Sequence, residues 1–185
     1  MIKIHQHDVI VNIFDIDGCI IKDVFSNKEL TTEDIEKTRV MLDKIKPYNT
    51  FLDYFKKVCI KENVINNIFI TGRKEKDYGE ITRKQLKLLN HTYGISFYPN
   101  NLRHIPEQYF QWKIDIIKET SKFMVKINKT FDDFYKEKTK VIINIYDDLN
   151  QYFEKLEDGQ QKDCKYNFYH IKNKNNWKKL LKEKG

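Results

Sequence analysis

The chain is 185 residues long, 40% hydrophobic and 33% charged, with a formal net charge of +7. That length and balance describe one folded domain with a substantial core, and exclude a disordered, fibrous or disulfide-scaffold protein. No run approaches the roughly 20 apolar residues of a membrane-spanning helix, and the opening residues 1–7 carry no secretory apolar region. Cys19, Cys59 and Cys164 are odd in number and lack metal-ligand spacing, so a reducing, cytoplasmic setting is expected, with no membrane association.

The apolar, β-branched run 9–14 reads as a buried strand. It ends on Asp15-Ile16-Asp17-Gly18, and the two-residue period of a strand aims both carboxylates the same way. Two like charges held together need a cation or a proton to compensate them. The carboxyl edge of a parallel sheet is also where open α/β folds bind ligands. Helices are predicted over 32–46, with Thr32 or a neighbour as cap, and over 50–62. A second strand, 67–71, runs into Thr71-Gly72-Arg73. A helix over 79–90 and a short strand at 96–98 follow, with Tyr93-Gly94 and Tyr98-Pro99-Asn100 read as turns.

The helix predicted over 107–119 carries Lys113 on its inward side, between Phe110 and Ile117. Phe131, Phe134 and Tyr135 suggest further helix within 120–139. A third apolar strand, 140–146, ends on Asp147-Asp148, and a last strand is expected at 166–171. From Lys172 to Lys184 six lysines face one glutamate, a surplus of five that leaves only +2 to the remainder. These lysines read either as a solvated surface, the favoured reading, or as a track for nucleic-acid phosphates. Trp177, Leu180 and Leu181 predict a helix over 174–183 docked by that face, with Asn176 or a neighbour as cap. Residues 1–171 are therefore read as the domain and 172–185 as a basic helix docked on it. Strands alternating with helices argue for a doubly wound parallel sheet. No internal repeat is evident.

Asp15-Ile16-Asp17-Gly18-Cys19, Thr71-Gly72-Arg73, Lys113 and Asp147-Asp148, in that order and three of them at strand ends, resemble the four motifs of the haloacid dehalogenase (HAD) superfamily of phosphohydrolases. The resemblance covers roughly residues 8–156 and implies the Rossmann-like fold of that family. It implies that Asp15 attacks phosphorus to form an aspartyl-phosphate, and that Asp17 acts as general acid and then base. It implies a Mg²⁺ ion held by Asp15, the backbone carbonyl of Asp17 and Asp147, with Asp148 behind them or exchanging roles with Asp147. Thr71 and the Gly72 amide would hold phosphoryl oxygens, and Lys113 would neutralise the remaining charge. Arg73 is left between a substrate contact and a helix cap, and Lys113 has the alternative of a snorkelling lysine. Cys19 stands where the family has Thr or Val, and reads as small-residue packing.

Fifty-four positions separate Asp17 from Thr71, and 40 separate Arg73 from Lys113. Two helices and a hairpin-like segment at 19–30 fill the first gap, and a helix, a strand and a loop the second, leaving no room for a large cap domain. An open site suits a large substrate, or a small one bound with help from a partner subunit, and a nucleotide or a nucleic-acid terminal phosphate is the expected partner. Trp112-Lys113 and Tyr146-Asp147-Asp148 faintly resemble the HAD-type phosphatase domains of RNA-repair proteins, although Leu149 stands where those have an arginine. A phosphoprotein phosphatase and a phosphate-binding module without turnover are the alternatives. The oligomeric state is not legible.

Overall fold

The computed structural model describes residues 8–25, 31–89, 95–100, 106–135, 138–157 and 163–185. β1 (Val9–Asp15) is followed by α1 (Thr32–Lys44), α2 (Asn49–Tyr54) and a π-helical turn (Phe55–Cys59). Then come β2 (Val64–Lys74), α3 (Glu75–Lys87), β3 (Ile95–Asn100) and α4 (Pro106–Tyr135). β4 (Val141–Asp147), α5 (Gln151–Glu157), β5 (Cys164–His170) and α6 (Lys174–Lys184) complete the chain. The five strands form one sheet in the order β3-β2-β1-β4-β5, and every pairing is parallel.

Helices cover both faces, as an all-parallel sheet requires. Leu42 of α1, Phe51 of α2, Leu86 of α3 and Trp177 of α6 pack under Phe14 and Phe69. Ile117 of α4 and Leu156 of α5 pack over Val11, Ile13 and Ile143 on the other side. Connections leading from β1 to β2 and β3 thus lie on one face, and those leading back to β4 and β5 on the other. Crossovers of a single hand demand that division, and it puts the switch in strand order at β1.

One row of the sheet is polar and the next aromatic. Asn12 donates to Asn67 (2.9 Å), Asn144 to Asn12 (3.0 Å) and Asn167 to Asn144 (3.0 Å), which links β2, β1, β4 and β5. Asn67 in turn donates to the Cys59 carbonyl at the end of the π-helical turn. Two residues further along, the Phe69, Phe14, Tyr146 and Tyr169 rings stack in succession, with centroids 5.1, 4.7 and 4.7 Å apart. Asn-x-aromatic therefore recurs in register on four strands.

Several boundaries differ from expectation. Thr31, not Thr32, caps α1 in a capping box with Asp34, and Asn173 caps α6 with Asn176 as its reciprocal partner. Tyr98-Pro99-Asn100 is strand rather than turn, since β3 is an edge strand where a proline without an N–H is tolerated. Tyr93-Gly94 lies outside the described residues. α4 runs unbroken through 120–135, but Ser121, Met124, Val125 and Asn128 form its inward side while Phe131 and Phe134 are exposed. α5 was not anticipated.

Candidate active site

β1 and β4 carry the same apolar side chains toward α4, and the strand period then turns Asp15 and Asp147 toward that helix too. Lys113, one residue before Ile114 on the buried stripe of α4, meets them there. Its ammonium lies 2.8 Å from Asp15 Oδ1 and 2.5 Å from Asp147 Oδ2. Lys113 is 2% exposed, so its charge is met by protein carboxylates and is not snorkelling to solvent. The other oxygen of Asp147 accepts the Leu149 N–H at 2.9 Å. Asp147 Oδ2 is buried and receives no aligned hydrogen bond, despite its close approach to the ammonium.

Asp148 completes the group: Asp15, Asp147 and Asp148 each present one oxygen within 4.8 Å of the others. Burial pushes the Asp15 carboxyl well above the usual carboxylate range; Lys113 pulls it back and Asp147 pushes it further up. Burial and then the charge of Asp147 raise Asp148 to about 6. With all three carboxylates ionised, one ammonium leaves two negative charges uncompensated, and the donors are all oxygen. That set of oxygen donors could hold a metal ion. Gly18 makes the arrangement possible. Its φ of +77° suits glycine, and a Cβ there would stand 2.5 Å from Asp148 Oδ2.

Asp17 sits beside this group with different partners. Between Thr71 and Lys74 the β2–β3 register slips, so Gly72 and Arg73 form a bulge that re-aims the chain. The Arg73 guanidinium then grips Asp17 through Nε to Oδ2 at 2.9 Å and Nη2 to Oδ1 at 2.8 Å. Its remaining nitrogen donates to Thr82 (2.8 Å) and Gln85 (2.7 Å) of α3. Gln85 is itself fixed by donating to the Leu42 and Ile45 carbonyls. The Thr71 hydroxyl donates to Asp17 Oδ2 at 3.2 Å.

Arg73 therefore neither caps α3, whose cap residue is Lys74, nor points outward. It is 2% exposed and stands behind Asp17. Thr71 is fully buried and also serves Asp17. Gly72 lies against the Tyr109 ring, which would be 3.6 Å from a Cβ. Cys19 is buried, with its thiol against the Tyr146 carbonyl and its own carbonyl accepting the Trp177 indole N–H. Thr82 and Gln85 escaped the sequence reading. The available signal was two polar residues, three apart, on the inward side of α3 beside Tyr78 and Leu86.

The structure thus gathers Asp15, Asp17, Thr71, Arg73, Lys113, Asp147 and Asp148 at the carboxyl edge of the sheet. A groove of about 540 Å³ between α1 and α3 is lined by Arg39, Asp43 and Glu75 among others and contains none of them. Among the described residues, no helix is long and apolar enough to cross a membrane. In comparisons with known proteins, no family model, no curated protein and no solved structure matches the chain.

Proposed function

We propose that this chain is a Mg²⁺-dependent phosphomonoester hydrolase of HAD-like fold, acting on a nucleotide or a nucleic-acid terminal phosphate. The observation that carries the reading is the pairing of two differently held carboxylates two residues apart at the switch point of the sheet. Asp15 is buried among Asp147, Asp148 and Lys113, and Asp17 is held by Arg73. The ordered motif resemblance supports it as well. Bound at Asp15, Asp147 and Asp148, Mg²⁺ would supply the positive charge that lets a phosphate approach a carboxylate.

Asp15 attacks phosphorus, the bond to the ester oxygen breaks, and that oxygen takes a proton from Asp17, which must carry it on an oxygen released from the Arg73 fork. Asp17 then removes a proton from water, which displaces Asp15 and releases inorganic phosphate. Lys113 offsets the charge that gathers on the phosphoryl oxygens. Because an amide cannot form an acyl-phosphate, Asp15→Asn should fall below about 1% of wild-type turnover while keeping the wild-type circular dichroism spectrum. The assay pairs mononucleotides, 3′- and 5′-phosphorylated oligonucleotides and phosphopeptides with Mg²⁺. Turnover retained in Asp15→Asn would reject the covalent route. Preference for phosphopeptides would move the substrate class to phosphoproteins.

A further inference from the structure

We infer that the outward face shared by α2, its π-helical extension and α6 is a docking surface for a single nucleic-acid strand. Charge separates this face from the rest of the molecule. Residues 49–62 hold three lysines against Asp53 and Glu62, and residues 172–185 hold six against Glu183. Their surpluses of one and five account for six of the chain's seven net positive charges in 28 of its 185 residues. The lysine-rich, alanine-free composition raises the lysine count everywhere, but it does not gather an excess on one face. On α4, by comparison, Lys122 pairs with Glu119 and Lys129 with Asp163, whereas the six lysines of the tail share one acidic residue, Glu183, which pairs with Lys179.

The fold joins the two segments. The Thr50 hydroxyl donates to the Lys174 carbonyl where the helices begin, and Lys61 donates to the Lys184 carbonyl where they end. Each helix buries its apolar side in the same cluster, through Phe51, Tyr54 and Phe55 on one and Trp177 on the other. Their polar sides consequently face outward together. Lys174, Lys178 and Lys182 are exposed at i, i+4 and i+8, a row stepping about 6 Å along the helix. Lys56, Lys57 and Lys61 are exposed on the neighbouring segment.

The starts of the two helices also adjoin the candidate active site. Trp177 Nε1 donates to the Cys19 carbonyl and the Tyr48 N–H to the Ile20 carbonyl, so both helix starts abut the loop that follows Asp17. The Ile171 N–H, just before α6, donates to the Asp147 carbonyl at 2.8 Å. A strand lying on this face would bring one end to the carboxyl edge of the sheet, beside the loop that follows Asp17. That placement of the end rests on the phosphohydrolase reading, whereas the binding face does not. An anionic membrane is the weaker partner, because a helix lying on a bilayer needs an exposed apolar side and α6 has buried its own.

The test uses Asp15→Asn protein, which cannot consume the probe, and fluorescence anisotropy of a labelled single-stranded oligonucleotide carrying a terminal phosphate. Changing Lys178, Lys179 and Lys182 to Gln should weaken binding at least about tenfold at 0.1 M salt and flatten the log–log salt slope by up to about 2. The same change at the exposed Lys122, Lys126 and Lys129 of α4 should leave both unchanged. In the Asp15 background, the α6 triple should turn over a mononucleotide at the wild-type rate. Equal losses in the two triples, an unaltered slope, or no oligonucleotide binding overturns the docking surface. Binding to phosphatidylserine vesicles in place of oligonucleotide assigns it to a membrane and overturns it too. A chain that binds oligonucleotide but hydrolyses no phosphoester would instead sink the phosphohydrolase reading and leave this face standing.

Discussion

Arg73 illustrates how a buried charge decides what its neighbour can do. Two of its nitrogens hold both oxygens of Asp17, and the third is anchored on Thr82 and Gln85, so the carboxylate has one orientation. A planar guanidinium makes such a fork where an ammonium cannot. If Asp17 protonates the leaving oxygen, its orientation matters most when that oxygen is a poor leaving group. Arg73→Lys, which keeps the charge and loses the fork, should therefore cost about 100-fold in kcat on an alkyl phosphate such as a nucleoside monophosphate. On p-nitrophenyl phosphate, whose leaving oxygen needs little protonation, the loss should be under about tenfold. KM should change little for either. A rise in KM with kcat preserved would show Arg73 touching the substrate instead. Thr82→Val and Gln85→Leu should reproduce the same leaving-group pattern more weakly.

At the scale of elements, the sheet is held across its width by side chains as well as by backbone. Asn12 sits in the middle of the asparagine row and is 1% exposed. Asn12→Ala would strand both the Asn144 donor and the Asn67 acceptor in the interior, and should cost about 3 kcal/mol, whereas Asn167→Ala at the half-buried end should cost about 1. Urea unfolding of both variants measures the difference, and equal costs would show that the row relaxes as a unit. The strands were legible because 9–14, 67–71 and 140–146 are apolar, β-branched runs, and their terminal carboxylates and hydroxyl were legible with them. Lys113 was legible only as a cation on an inward face. What it touches depends on β1 and β4 being neighbours, and local pattern carries no such information. The register slip at Gly72-Arg73 was hidden for the same reason, since it arises from pairing with β3. Hence Arg73 and Asp17 were each seen but their pairing was not, and Thr82 and Gln85 were missed. Pro99 misled because a proline reads as a turn until its strand is known to lie at an edge.

For the molecule as a whole, the buried carboxylates of the site couple folding to pH, and a metal held among them would be coupled to it as well. In the metal-free protein Asp148 titrates near 6 when folded, against an ordinary value of 3.8. A raised folded value means that the folded state holds the proton more tightly. Its contribution to stability is therefore complete below about pH 4 and lost as pH rises through about 6. Asp15 is shifted in the same direction by its burial. Asp34, lowered by its hydrogen bonds with Thr31 in the α1 capping box, acts oppositely: its contribution is present above 3.8 and is lost only under more acidic conditions. The two effects occupy different windows. Thermal unfolding in a chelator should thus show a Tm contribution that falls between pH 4.5 and 7, and Asp148→Asn should remove much of the fall. Millimolar Mg²⁺ should raise Tm progressively more across the same interval, because its carboxylate ligands must be unprotonated to bind it. A Mg²⁺ shift in Tm that is independent of pH, or one that survives unchanged in both Asp147→Ala and Asp148→Asn, would show that the ion stabilises the protein from somewhere other than this cluster.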